Sequence, residues 1–295
     1  MLLTRNPPGE NEIFLKLFRK ENNQLVQLAI TSPGFSREEK REAMIVADKF
    51  VFVHLPRSGG TFISEVIRKF FSSAHEIGYH LPRILLPKEY SHLPVLGVIR
   101  NPWEFYVSWY HHVWPRDAAT TLVSWMTESG KLGFLGTTRN ALNLGVNNER
   151  LDVLIEMLPE QVDYRRRNIP NITKEAMRRV RGTGVGYYTF RFNHLFGNAD
   201  DVFICRLETL RQDLVGFFDG IGAATDELRD YVLHSDKKNT AEYLHYSTYY
   251  TPELAELVSI SDRPLIQRFC YVFEQASSVE NGGLKPSIEE PTTSL

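Results

Sequence analysis

Two short clusters of polar side chains, one at residues 57–61 and one at residues 100–108, have the types and spacing to hold anionic groups. The first is Arg57, Ser58, Gly59, Gly60 and Thr61, one guanidinium and two hydroxyls around a glycine pair. The second pairs Arg100 with Ser108, a guanidinium able to bind phosphate through two parallel bonds and a hydroxyl two helical turns away. The first is also expected to open a helix, where unpaired backbone N–H groups and the positive end of the helix dipole favour an anion.

The flanking residues say how these clusters are positioned. Phe50-Val-Phe-Val53 and Val95-Leu-Gly-Val-Ile99 are short runs of β-formers, suited to buried parallel strands. After the first cluster, Phe62, Ile63, Val66, Ile67, Phe70 and Phe71 recur at helical spacing. After the second strand, Asn101 is placed to cap a helix, Pro102 to occupy its first position, and Glu104 to complete a capping box. Each cluster therefore sits where a strand hands over to a helix, and the fold expected is α/β, three-layered, with a central parallel sheet that includes Val202–Cys205.

These residues resemble a known family. Pro56-Arg-Ser-Gly-Gly-Thr-Phe62 is similar to the 5′-phosphosulfate loop of the sulfotransferases that use 3′-phosphoadenosine 5′-phosphosulfate (PAPS), and Arg100 through Ser108 to their 3′-phosphate motif. Between them, His80-Leu-Pro-Arg-Ile-Leu-Leu-Pro87 resembles the segment that carries the catalytic base in the cytosolic branch, as does Ser108-Trp-Tyr-His111 that branch's sequence. The resemblance covers Phe50 to His112, with weaker echoes at Val202–Asp213 and Tyr249–Leu254. It implies a P-loop-like fold and PAPS as co-substrate. Arg57, Ser58, Gly59, Gly60, Thr61, Phe62, Arg100 and Ser108 would hold the donor. His80 would be the base, and Arg57 would act on the leaving phosphate. No metal is implied, and no acidic cluster suited to magnesium is evident in the sequence.

The sequence also departs from that pattern. Arg57 stands where the family usually has Lys, and Gly60 where cytosolic members have Thr, which resembles the carbohydrate enzymes. Gly78-Tyr79 precedes His80 in place of a Lys-Thr pair. No Arg-Lys-Gly stretch occurs near the C-terminus, where Lys237-Lys238-Asn239 is the nearest basic run. The acceptor expected is a small molecule with a hydroxyl or amine, with a carbohydrate as the alternative. A P-loop kinase is disfavoured because Gly-Gly-Thr follows Arg-Ser where a Walker loop ends Gly-Lys-Ser/Thr, and because Ile99 is followed by Arg100 rather than an aspartate. A non-catalytic nucleotide-binding module remains open, although Arg57, His80 and Arg100 together count against it.

Composition agrees with an enzyme of this kind. The chain has 295 residues and a net charge of −2, so no global basic field points to nucleic acid. Two cysteines, Cys205 and Cys270, form neither a disulfide framework nor a zinc set. No run approaches a membrane span, and Met1–Pro8 lacks the apolar core of a signal peptide, so a cytoplasmic location without membrane attachment is expected. The basic runs Arg165–Arg167 and Arg178–Arg181 read first as solvated faces, with an anionic-substrate patch as the alternative.

Residues 1–48 read as an N-terminal extension holding a small helical or hairpin element over Glu12–Leu28. Residues 49–276 read as the sulfotransferase domain, and 277–295 as a disordered tail rich in Ser, Glu, Pro, Gly and Thr. Residues 114–196 have no strong strand signal and read as an insertion over the acceptor site. Helices are expected around 118–129, 151–158 and 173–181, with glycine-rich turns at 130–145 and 182–186. Tyr187-Tyr-Thr-Phe-Arg-Phe192 reads as core packing, or alternatively as a face for stacking an adenine or an acceptor ring.

Overall fold

The computed structural model describes residues 15–21, 24–30, 43–117, 120–165, 171–197, 199–236 and 244–276. The expectations for Lys237–Asn239 and for the 277–295 tail lie outside the described residues. Strands β1 (Leu15–Glu21) and β2 (Gln24–Ile30) form an antiparallel hairpin, the second of the two forms expected for that stretch.

The principal sheet has five strands: β3 (Ala43–Val46), β4 (Val51–Phe52), β5 (His75–Tyr79), β6 (Val95–Ile99) and β7 (Val202–Arg206), in the order β5-β3-β4-β6-β7. The three strands expected from sequence are parallel neighbours: Val51 pairs with Val95, and Val95 with Val202. The sheet as a whole is mixed, which corrects the expectation of a parallel one. Strand β3 runs antiparallel to both β4 and β5. The cause is local, because β3 enters β4 through a tight turn closed by the Ala47 N–H on the Phe50 carbonyl (2.9 Å), and so short a link joins only antiparallel strands. All four residues of β3 are buried, although they lie in the stretch that reads as an N-terminal extension.

Side chains on β3, β4 and β6 alternate between two cores. Ile45, Phe52, Leu96 and Val98 face one core, where Ile63, Val66 and Ile67 of α1 (Gly60–Phe70) meet Leu214 and Phe218 of α8 (Leu210–Gly220) and Leu228 of α9 (Asp226–His234). Val46, Val51, Val95 and Ile99 face the other, against α2 (Pro102–Asp117), α7 (Tyr187–Phe196), α10 (Pro252–Ser261) and α11 (Arg263–Phe269). Helices thus cover both faces of the sheet, as a two-period strand pattern with apolar residues on both sides requires.

Among the described residues of 114–196 there is no strand. The helices there are α3 (Thr121–Met126), α4 (Phe134–Leu142), α5 (Asn148–Met157), α6 (Lys174–Arg178) and α7. Helices α3, α5 and α6 fall where helices are expected. Helix α4 replaces an expected glycine-rich turn, because Gly136 lies within the helix, while Thr137, Thr138, Ala141 and Leu142 pack inward. The aromatic run is helix α7 and is buried along its length, which is the core-packing alternative.

The candidate active site

The first cluster is a strained turn. Arg57 and Gly59 both have positive φ, 62° and 89°, and Gly59 ends the turn as the cap of α1. Left-handed backbone costs a non-glycine residue of order 1–3 kcal/mol, so Arg57 is held there by its surroundings. A β-carbon on Gly60 would lie 2.0 Å from the His54 ring, so glycine is required by close approach. No side chain caps the first turn of α1, and its leading N–H groups line the loop.

Helix α2 starts as its sequence specifies: the Asn101 side chain accepts from the Trp103 N–H at 3.0 Å. Glu104 does not close the capping box. The Asn101 N–H donates instead to Glu208 (2.7 Å), and Glu104 accepts from the Arg100 guanidinium. Burial raises the pKa of Glu208, opposed by the bond from Asn101.

The structure brings the two clusters together. The Arg57 guanidinium donates to the Ser108 hydroxyl (3.1 Å) and to His112 Nδ1 (3.2 Å), and Arg100 donates to the Arg57 carbonyl (3.4 Å). The buried Arg100 Nε–H has no hydrogen-bond acceptor among the described residues. Ser58 is fully buried, and its hydroxyl meets the Tyr188 hydroxyl at 3.2 Å. That same Tyr188 oxygen accepts from the Arg100 N–H (2.9 Å) and donates to the Arg100 carbonyl (3.2 Å). Tyr188 therefore ties the two strand–helix junctions to each other. Thr61 and Phe62 are half-buried in the first turn of α1, with the Arg211 guanidinium 5.1 Å from the Phe62 ring centre.

His80 stands at the end of β5, buried and with positive φ (44°). Its ring stacks on His54 at 5.2 Å between centres and contacts Tyr79 at 4.3 Å. Residues of the 114–196 stretch bracket this corner: the Tyr79 N–H donates to the Tyr164 carbonyl (2.7 Å) and Asn171 donates to the Tyr79 carbonyl (2.6 Å). Burial pushes the Tyr164 hydroxyl up to about 12.

Some contributors are not singled out by the sequence. Tyr188 lies in a run whose aromatic content signals packing, and its hydroxyl gives no separate signal. Glu104 reads as a capping residue. His54 and His112 stand beside the motifs, but spacing alone does not distinguish them from other histidines. Where described, the basic runs are paired with acidic side chains: Arg178 and Arg179 share Glu175, Arg181 pairs with Asp152 and Arg165 with Asp163. Exposed pairs of this kind contribute little to stability. Among the described residues no His, Cys, Asp or Glu side chains group as a metal site, and no helix is long and apolar enough to cross a membrane. No protein-family model, curated protein or solved structure matches the chain.

Proposed function

We propose that this protein transfers a sulfuryl group from PAPS to the hydroxyl or amine of a small-molecule acceptor, on a P-loop-like fold. The observation that carries the reading is the contact between the two phosphate-type clusters, Arg57 to Ser108 and Arg100 to the Arg57 carbonyl. A donor with phosphate at both ends of its ribose needs two grips a few ångströms apart, and this junction offers them. The orphan Nε–H of Arg100 is a second support, since a buried donor without a partner is costly unless a ligand supplies one.

In this reading the acceptor oxygen attacks sulfur in line. The bond from sulfur to the 5′-phosphate oxygen breaks, and the acceptor proton passes to His80. Charge grows on the departing phosphate, where Arg57 and the N–H groups opening α1 stabilise it. Arg100 and Ser108 hold the 3′-phosphate. Ser58, turned inward to Tyr188, contributes its backbone and fixes the loop, while Thr61 offers its hydroxyl. The insertion beside Tyr79 and His80 walls the acceptor side.

Two measurements test this. 3′-Phosphoadenosine 5′-phosphate is expected to raise the melting temperature without added metal, and AMP much less. Arg100→Ala is expected to erase most of that difference; equal weakening of both nucleotides would leave Arg100 a structural residue. With a hydroxyl acceptor, His80→Ala is expected to lower turnover on the order of a hundredfold while nucleotide affinity holds. Full activity in that variant would remove His80 from the mechanism.

A further inference from the structure

Arg100 is already paired with a carboxylate, and the pairing is half made. Its guanidinium donates from Nη1 to the Arg57 carbonyl and from Nη2 to Glu104 in the first turn of α2. Nε and Nη2 flank a single edge of a guanidinium, and the buried Nε–H on that edge has no acceptor among the described residues. Glu104 therefore engages one of two parallel donors, whereas such an edge grips an oxyanion most strongly through both.

The two partners are held unequally. The Arg100 side chain is 13% exposed and is tethered to the Arg57 carbonyl as well. The Glu104 side chain is 35% exposed and, among the described residues, hydrogen-bonds to Arg100 alone. It takes no part in capping α2, because the Asn101 N–H donates to Glu208. The Glu104 charge adds to burial in raising the Glu208 pKa, so the two carboxylates repel each other. Moving Glu104 into water would relieve that repulsion and give up a single ion pair, while the cation stays in place.

We propose that Glu104 is a resident anion that a terminal phosphate displaces from Arg100, and that this exchange makes the Arg100 grip selective for a phosphate monoester over a singly charged anion. A monoester carries about −1.5 to −2 charges at neutral pH and offers three oxygens, so it takes both donors of the edge and more than replaces the carboxylate charge. A phosphodiester or a carboxylate carries one charge and gains little by exchanging with Glu104. The role rests on the 3′-phosphate reading of Arg100; the half-used edge and the exposed carboxylate do not.

The test measures, by calorimetry on the full chain, the affinities of 3′-phosphoadenosine 5′-phosphate, its 3′-methyl phosphodiester and AMP. The wild-type protein is expected to bind the first at least ~tenfold more tightly than the methyl ester. Glu104→Gln keeps the length of the side chain and an acceptor oxygen but removes the charge. It is expected to tighten the methyl ester by ~tenfold while AMP changes by less than ~twofold. A gain of affinity cannot arise from misfolding, and adding Arg100→Ala is expected to abolish it. Equal wild-type affinities for the phosphate and its methyl ester would overturn the proposal even if Glu104→Gln fails to fold. So would a Glu104→Gln variant that binds the methyl ester no better than the wild type does. Discrimination as expected, in a protein that transfers from PAPS to no acceptor, would sink the reaction and leave the exchange standing. Turnover from PAPS without that discrimination would do the opposite, and a protein that binds none of the three probes would overturn both.

Discussion

Two buried polar networks meet at Tyr188, and they are built on opposite terms. One is centred on Asp262, which is fully buried at the junction of α10 and α11. It accepts from the Tyr106 hydroxyl (2.8 Å), the Thr189 N–H (2.9 Å) and the Thr189 hydroxyl (2.6 Å). Burial raises its pKa, and those donors oppose the shift. Every contact is short and no backbone there is in the left-handed region. The other network is the candidate site, where Arg57, Gly59 and His80 have positive φ and two guanidiniums converge. Tyr188 belongs to both: its N–H donates to Tyr106, and its hydroxyl meets Ser58 and Arg100. Its ring stacks on Phe105 at 3.7 Å, which leaves it little freedom. A closed carboxylate network without strain holds helices together. In the proposed reading, the strained, cation-rich network is where a ligand would complete the set, and the first network touches the second through one side chain.

The largest expected effect on stability is at the closed network. Asp262→Ala leaves two hydroxyls and an N–H buried without their acceptor, and is expected to cost about 3–5 kcal/mol, read as a lower midpoint of urea unfolding. A loss below about 1 kcal/mol would mean that the network is not what joins α2, α7 and α11.

The open site should behave in the opposite way. Arg57→Gly removes the guanidinium and relieves left-handed strain, so turnover is expected to fall on the order of a hundredfold or more. The unfolding midpoint should hold or rise, by up to about 1 kcal/mol. If Arg57→Gly unfolds the protein as Asp262→Ala does, the contrast between the two networks is lost.

A loss of stability smaller than at Asp262 is expected where the networks meet. Tyr188→Phe keeps the stacked ring but strips the hydroxyl from Ser58 and from the Arg100 N–H and carbonyl. It is expected to cost about 1–3 kcal/mol and to weaken 3′-phosphoadenosine 5′-phosphate measurably. A variant that loses stability without losing nucleotide affinity would confine Tyr188 to the structural network.

Much of this arrangement could be read along the chain. The parallel pairing of β4, β6 and β7, the helices after the first two, and the Asn101 cap are written in contiguous residues, because strand and helix periods and capping chemistry act over a few positions. The convergence of the Arg57 and Arg100 clusters follows from placing both at the ends of adjacent parallel strands. Helix α4 was hidden by a glycine that tertiary packing overrides, and α7 by an aromatic run whose burial sets no period.

By itself, then, the sequence determined where strands hand over to helices and which cations stand at those points, since both depend on neighbours within a turn or two. Only the tertiary structure decided the rest. Strand β3 is too short and too plainly flanked to declare its direction, which its hairpin into β4 sets. Glu104 turned to Arg100 rather than to the helix cap because Glu208, more than a hundred positions on, had taken the Asn101 N–H. Tyr188 and the His54–His80 pair became part of the site through contacts between residues distant in sequence, where hydrogen-bond direction is fixed by whichever acceptor the fold delivers.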